Sequence, residues 1–180
     1  MREIEIKAQV HNAEKLLAAL TRAGVKLSEP ITQHDRVYAE PGKLDTALDA
    51  NWLRIRTEND AKHVFTLKRS VVGHLDSIEH ETEITDDKEL EKIILEMHYV
   101  SYSDLTKIRR KGHVGDIEIC YDEVPGLGKF IEAEKLMAAD ADHDMVVTEL
   151  WELLTGLGIK REDEVHEGYD VLERRLNGIK

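Results

Sequence analysis

The sequence predicts an α+β fold in which an antiparallel sheet is interrupted by a few helices. Alternation of apolar and polar residues, which is typical of strands, recurs in about eight segments along the 180 residues. Shorter stretches carry the apolar spacing and the capping residues of helices. The chain contains no low-complexity tract, proline-rich linker or clean internal repeat. We therefore expect residues 1–180 to form a single domain.

The strand prediction starts at the N-terminus. Over Arg2–Ala8, apolar residues occupy one face of the strand, and Glu3, Glu5 and Lys7 occupy the other. Between the last two strands, residues 124–128 read Val-Pro-Gly-Leu-Gly, which is typical of a turn. The remaining strands are predicted over Asp35–Ala39, Trp52–Glu58, His63–Lys68, Glu79–Ile84, Ser103–Arg110, Asp116–Asp122 and Phe130–Leu136.

Four helices are predicted from capping residues and from apolar stripes. Asn12 is suited to cap the first helix, which ends at Gly24, and Asp86 or Asp87 is suited to cap the second. The third helix is predicted over Met145–Thr155, and a short fourth helix follows residue 168. The apolar stripes of the first two helices consist of Leu16, Leu17 and Leu20, and of Leu90, Ile93, Ile94 and Met97.

The charge composition limits the kinds of molecule that the protein is expected to bind. The 25 basic residues are outnumbered by 37 acidic ones, which gives a net charge of −12. Such a surface disfavours general binding of nucleic acid or of an anionic membrane. An acidic protein still binds an anion when its basic side chains are gathered in one sheltered place.

The expected location is the cytoplasm. Cys120 is the single cysteine of the sequence, so an internal disulfide is excluded and a reducing compartment is indicated. The N-terminal residues contain no apolar run of the kind found in signal peptides.

Like charges recur at positions i and i+2 of the predicted strands, and such residues share a face about 6.5–7 Å apart. One explanation is that these are ordinary solvent-facing surfaces. Like charges on one face are unfavourable, however, and a solvated face gives no reason to collect them. Five such doublets occur, namely Glu3 with Glu5, Glu81 with Glu83, Glu132 with Glu134, Arg54 with Arg56, and Lys107 with Arg109.

The doublets are explained if the strands curl into a barrel with these faces inward. Carboxylate pairs are then suited to bind a hard divalent cation, Mg²⁺ or Mn²⁺. Arginine and lysine pairs are suited to bind the oxygens of a polyphosphate.

Seven segments of the sequence, taken together, resemble the CYTH superfamily, also called the triphosphate tunnel metalloenzymes. The first is the Glu-x-Glu-x-Lys pattern at residues 3–7, which is weak alone. The last, residues 122–134, reads Asp-Glu-Val-Pro-Gly-Leu-Gly-Lys-Phe-Ile-Glu-Ala-Glu and is the most specific. Between them, in order, are residues 33–38, 53–56, 66–68, 81–83 and 107–110.

This resemblance implies a closed, antiparallel, eight-stranded β-barrel with flanking helices, which holds divalent metal and triphosphate in its tunnel. A homodimer is also plausible from the resemblance. The last short helix departs from the family, because Gly168 precedes Tyr169 where a serine is frequent. Carried over by position, the metal side consists of Glu3, Glu5, Asp122, Glu132 and Glu134; the phosphate side of Lys7, Arg54, Arg56, Lys68, Lys107 and Arg109; and the carboxylates between them of Glu81 and Glu83.

The resemblance implies an enzyme and leaves its reaction open. A class IV adenylyl cyclase converts ATP to cyclic AMP and pyrophosphate, and this is the function that we expect first. The alternatives are a triphosphate hydrolase, acting on tripolyphosphate, thiamine triphosphate or a nucleoside triphosphate, and a polyphosphate-binding module without turnover. Lys68 and Tyr38 are candidates to assist proton transfer in either enzyme.

Overall fold

Eight antiparallel strands close into a barrel, in the order β1-β5-β4-β3-β2-β6-β7-β8. The computed structural model describes residues 2–43, 50–71, 76–138 and 141–179. The barrel and its antiparallel topology confirm the predicted fold class. The strands are β1 (Arg2–Gln9), β2 (Ile31–Ala39), β3 (Asn51–Glu58), β4 (Lys62–Ser70), β5 (Asp76–Ile84), β6 (Val100–Val114), β7 (Ile117–Val124) and β8 (Gly128–Met137).

Four helices flank the barrel, as the sequence predicts. The side chains of Asn12 and Asp86 accept hydrogen bonds from the first turns of α1 and α2, which confirms both predicted caps. No helix in the described ranges is long and apolar enough to cross a membrane. The helices are α1 (Ala13–Arg22), α2 (Asp87–Glu96), α3 (His143–Gly156) and α4 (Tyr169–Leu176), and a single 3₁₀ turn (Arg161–Asp163) precedes α4.

Each predicted strand is present, and most of them extend beyond the predicted bounds. The largest difference is β6, which begins at Val100 and continues to Val114. The predicted turn between β7 and β8 is present, and Gly126 and Gly128 adopt φ angles of 80° and 116° there. Glycine accepts this left-handed region without the strain that a side chain would cause.

The apolar core lies outside the barrel. On β1, Ile4 and Ile6 point outward and pack beneath α3, where Leu150 and Trp151 are fully buried. A second core joins the outer faces of β2 and β3 to Ile94 of α2. The apolar half of each strand alternation is therefore used against the helices, and the charged half is left facing the barrel interior.

Removal of Leu150 tests how far stability depends on this outer core. Leu150→Ala should lower the free energy of unfolding by about 2–5 kcal/mol, because it leaves a cavity between α3 and the barrel. Urea denaturation followed by circular dichroism measures the loss.

The matched control is Met145→Ala on the same helix, at a side chain that is 66% exposed. It should change stability by less than about 0.5 kcal/mol. Equal effects of the two substitutions would show that α3 is not anchored through Leu150.

Candidate functional site

The barrel encloses a cavity of about 750 Å³ whose walls carry both signs of charge. The inward faces of all strands except β7 contribute several lining side chains each, and the start of α4 lies at one end. A volume of this size is typical of sites for small ligands. Lys7, Arg56, Lys107 and Arg109 of the wall are buried, so the interactions of these charges are stronger than at the surface.

Three carboxylates converge on one side of the lumen. Glu5 of β1 lies opposite Glu134 of β8 in the strand register, and Glu3 precedes Glu5 by two residues on the same face. Their ligand oxygens lie within 4.8 Å of one another. Burial, and then Glu79, raises the pKa of Glu3 to about 7. The pKa of Glu5 is raised by burial and then by Glu132.

Glu134 also belongs to a second group, formed with Glu118 and Cys120. Burial raises the pKa of the Cys120 thiol far above its ordinary value, so this sulfur stays protonated. Glu118 accepts a hydrogen bond from Lys111 Nζ at 2.6 Å. The group of Glu3, Glu5 and Glu134 is therefore the better candidate for a hard cation, since it offers only carboxylate oxygens.

Two buried arginines form bidentate pairs with aspartates. Arg56 donates from Nε and Nη2 to the two Asp35 oxygens, both at 2.7 Å. Arg109 donates from the same two nitrogens to Asp122, at 2.8 and 2.5 Å. Arg109 Nη2 also donates to Glu132. Burial opposes the charge of Glu132, but Arg109 and the neighbouring lysines outweigh it and hold its pKa well below the ordinary value.

Two lysines meet at the α4 end of the tunnel. Lys7 Nζ lies 3.2 Å from carboxylate oxygens of both Glu5 and Glu132. Lys107 Nζ lies 3.3 Å from Asp122. Both ammonium groups lie over the ring of Tyr169, at 4.3 and 4.8 Å from its centroid.

Tyr169 therefore lines the cavity at its α4 end. Its ring packs edge-on against Phe130 of β8, with centroids 5.1 Å apart. Gly168, where the sequence departs from the family, lies in the wall immediately before Tyr169. A Cβ at this position would come within contact distance of the Asp170 Oδ1 atom, so the Asp170 side chain would have to turn away to admit a larger residue.

Lys68 of β4 pairs with Glu79 of β5 at 2.9 Å. Burial opposes the charge of Lys68, but Glu79, Glu5 and Glu3 outweigh it and raise its pKa, so the ammonium group stays protonated. Arg54 lies 3.8 Å from Glu79 and 3.5 Å from Glu81. Lys68 is therefore suited to bind an anion or to donate a proton, and it is not suited to accept one.

The lumen also has an aromatic wall, formed by Trp52 and Tyr102, whose rings meet edge-on with centroids 4.7 Å apart. A bulge brings Tyr102 there, because the pairing of β2 with β6 shifts between Val37 and Tyr38 and β6 gains one residue. Bulges re-aim side chains in this way. Trp52 lies opposite Lys68 in the strand register, so the aromatic wall adjoins the charged one.

The structure brings most of the candidate residues together in the lumen. The carboxylates that the sequence assigned to the metal side fall into two separate groups. Glu3, Glu5 and Glu134 form the carboxylate group, whereas Asp122 and Glu132 are bonded to Arg109. Lining the same cavity are Lys7, Arg54, Arg56, Lys68, Lys107, Arg109 and Glu81.

Two predicted placements are corrected. Tyr38 lies on the outer face of β2, in the core beneath α2, where its hydroxyl donates to Glu91 at 2.6 Å. It follows Val37, which faces inward, and successive strand residues point to opposite sides. This placement separates Tyr38 from any proton transfer in the tunnel. Glu83 lies at the rim, 72% exposed, and pairs with Lys62.

Several residues of the lumen were missed from the sequence. Glu79 shares the inward face of Glu81, and extending that alternation by two residues would have found it. Asp35 lies within one of the segments that resemble the family, but nothing in the sequence indicated that Arg56 is its partner. The aromatic wall depends on the β6 bulge and had no signal in the sequence.

A closed antiparallel barrel whose lumen sets carboxylates beside buried cations defines a class of proteins that hold an ionic ligand inside the barrel. Within this class, the chain belongs to the family of the CYTH domain, whose family model matches residues 1–169. The resemblance noted in the sequence is therefore confirmed.

Relatives of known sequence or structure agree with this membership. The chain is 29% identical over 171 residues to a "putative adenylate cyclase" of Methanocaldococcus jannaschii, covering 94% of this chain and 97% of that one. A conserved hypothetical protein of Pyrococcus furiosus has a similar structure, with a TM-score of 0.82 at 22% identity over 94% of this chain and 99% of the other.

A more distant structural relative is a Hippeastrum protein described as a "putative adenylyl cyclase" with a dominant triphosphatase activity. Its TM-score is 0.63 at 20% identity, over 99% of this chain and 96% of that one. At these levels of identity, the solved structures establish the shared fold.

Neutralising Glu79 tests the ion pairs of the wall. Lys68 and Arg54 hold the pKa of Glu79 at about 2, against the opposing effect of burial and below the ordinary value of 4.5. A lowered pKa means that ionised Glu79 stabilises the fold at neutral pH, and that this contribution is lost as the pH falls from about 4 to 2. Glu79→Gln should reduce the free energy of unfolding by about 1.5–3 kcal/mol at pH 7, and the difference from wild type should shrink over that acidic range.

Urea denaturation at a series of pH values measures both quantities. The control, Glu83→Gln, removes an exposed carboxylate from the same strand and should leave the curve almost unchanged. A Glu79 variant that parallels the wild type at every pH would contradict the assigned pair.

Proposed function

We propose that this chain is a divalent-metal-dependent enzyme that acts on a triphosphate-bearing substrate inside its barrel. The observation that carries the proposal is the arrangement of opposite charges along one lumen. A group of three carboxylates adjoins a wall of cations, of which Lys7, Arg56, Lys107 and Arg109 are buried. A metal-bound polyphosphate has the complementary charges.

The carboxylate group fits a hard divalent cation by its donor chemistry. The oxygens of Glu3, Glu5 and Glu134 are close enough to share one ion. Burial and repulsion from neighbouring carboxylates raise the pKa values of all three, so the group is destabilised by the negative charge around it. A bound cation would relieve this repulsion, polarise phosphate oxygens and activate the attacking hydroxyl or water. Mg²⁺ and Mn²⁺ both suit such ligands.

The cationic wall is suited to hold the phosphate chain. Arg56 and Arg109 line the cavity, and guanidinium groups are suited to bind phosphate oxygens. Lys68 stays protonated and can stabilise a departing phosphate oxygen. Phosphoryl transfer depends mainly on such positioning and neutralisation of charge.

The aromatic wall favours a substrate that carries a planar organic group, and so favours a nucleotide over inorganic tripolyphosphate. Trp52 presents a ring surface beside Arg54 and Lys68, where a nucleobase can stack while its phosphates reach the cations. The Tyr102 ring is buried beneath the Arg174 guanidinium and supports Trp52 from its edge. We therefore propose the adenylyl cyclase reaction first. In it, the 3′-hydroxyl oxygen of ATP loses its proton to solvent and bonds to the α-phosphorus. The bond from the α-phosphorus to the bridging α–β oxygen breaks, and pyrophosphate leaves with that oxygen.

Triphosphate hydrolysis is the second candidate. A protein with a similar barrel, from Hippeastrum, is described as having a dominant triphosphatase activity. In this reaction water attacks the terminal phosphorus, and the same cations neutralise the leaving group. The cytoplasmic location and the homodimer expected from the sequence stay predictions.

Product analysis distinguishes the two reactions. The purified protein is incubated with ATP and, separately, with tripolyphosphate, each with Mg²⁺ or Mn²⁺, and the products are separated by chromatography. We expect cyclic AMP and pyrophosphate from ATP. ADP and orthophosphate from ATP, or pyrophosphate and orthophosphate from tripolyphosphate, would establish the hydrolase instead. No product from either, with binding retained, would support a binding module.

Replacing Trp52 tests the aromatic wall. Trp52→Ala should raise KM for ATP about tenfold, roughly 1.4 kcal/mol, because it removes a stacking surface. KM for tripolyphosphate, or its inhibition constant where it is not turned over, should stay near the wild-type value.

Trp52→Phe keeps an aromatic ring and serves as the matched control, with a smaller effect on ATP. Equal losses for ATP and tripolyphosphate would show that Trp52 shapes the phosphate wall and does not contact the base.

A further inference from the structure

Asp35 is a buried carboxylate on the inner face of β2 to which the proposed reaction assigns no role. Its side chain is 8% exposed and accepts both hydrogen bonds of a bidentate pair with Arg56. Arg56 and Asp35 are direct neighbours in the register of β2 and β3. The pair therefore holds the guanidinium plane at a fixed angle within the wall of the cavity.

The same geometry recurs two strands away in the barrel, where Arg109 of β6 pairs with Asp122 of β7. In both pairs the aspartate takes the Nε and Nη2 edge of the arginine, and neither pair uses Nη1. Arg56 and Arg109 both line the cavity. Two arginines held by the same edge leave the same end, Nη1, for another acceptor.

We propose that Asp35 is a positioning residue, which holds Arg56 by its Nε–Nη2 edge so that Nη1 is presented to a phosphate group of the substrate. This inference rests on the proposed function, because it takes the ligand of the lumen to be a triphosphate. Asp35 touches the guanidinium and not the substrate, so it acts through Arg56.

Electrostatics supports a need for such orientation. Arg109 lies near enough to Arg56 to disfavour its charge, and Lys107 is part of the same cluster. Without a carboxylate partner, a flexible Arg56 side chain would move away from these like charges. Arg56, and then Arg54 and Lys107, hold the pKa of Asp35 far below its ordinary value despite burial, so the carboxylate stays ionised.

An Asp35 that positions Arg56 and an Asp35 that only neutralises charge predict opposite changes in phosphate affinity when Asp35 is replaced. If Asp35 served only as a negative charge, removing that charge would leave the wall more positive and phosphate binding would tighten. If Asp35 orients Arg56, the loss of the bidentate pair should weaken binding even though the wall becomes more positive. The sign of the change therefore decides between the two roles.

The experiment measures binding of the bis-methylene analogue of tripolyphosphate, whose P–C–P bridges cannot be cleaved, to the full chain with Mn²⁺ by isothermal titration calorimetry. Asp35→Asn should weaken binding about tenfold. Asp35→Glu keeps the charge but displaces the carboxylate by one methylene, and it should weaken binding as well. The exposed Asp104→Asn is the matched control on the neighbouring strand and should bind as the wild type does.

Mn²⁺ binding without the analogue should be unchanged in the Asp35 variants, which separates a lost orientation from a general loss of structure. Tighter binding by Asp35→Asn, or unchanged binding by Asp35→Glu, would overturn the positioning role. If Asp35→Asn does not fold, Asp35→Glu decides alone. A wild-type chain that does not bind the analogue would overturn the proposed function and this inference together.

Discussion

Compensation of charge inside a closed barrel is the constraint on which the rest of the structure depends. Removing one partner of a buried ion pair leaves a charge without solvent or counterion, which costs several kcal/mol. Asp122 is completely buried between Arg109 and Lys107, and Glu132 is shared by Arg109 and Lys7. Each of these buried charges is therefore stabilised only while its partners of opposite charge are present. Burial raises the pKa values of Glu3, Glu5 and Glu134, the three carboxylates that are proposed to hold a cation.

The charged lumen also dictates where the apolar core lies. A barrel with an apolar interior needs no cover, but this barrel turns its apolar faces outward and must bury them under helices. Helix α3 covers β1 and β8, and α2 covers β2 and β3, through Leu150 and Ile94 respectively. Alternation along the strands is the consequence, interrupted in β6 by the bulge at Tyr102, since one face must suit the helices and the other the charged lumen. The helices thereby stabilise a lumen that contributes little apolar burial of its own.

The division of each strand into an apolar outer face and a charged inner face explains which features could be predicted from the sequence. Alternation along single strands is local, so the sequence identified the strands and the inward doublets such as Glu3 with Glu5. Partners across the barrel depend on register, so the pairing of Asp35 with Arg56 had no local signal. The β6 bulge that turns Tyr102 inward is equally non-local. The misplacement of Tyr38 was avoidable, because it alternates with Val37, and the exposure of Glu83 depends on where the barrel rim falls.

The most direct test of the account is a crystal structure of the chain with Mn²⁺ and the bis-methylene analogue of tripolyphosphate, with anomalous scattering used to locate the metal. The account predicts an anomalous peak within coordination distance of Glu3, Glu5 and Glu134, and phosphate oxygens bonded to Arg56 and Arg109 inside the barrel. Manganese bound outside the lumen, or an analogue on the outer surface, would contradict the claim that these buried charges exist to hold a metal-bound triphosphate.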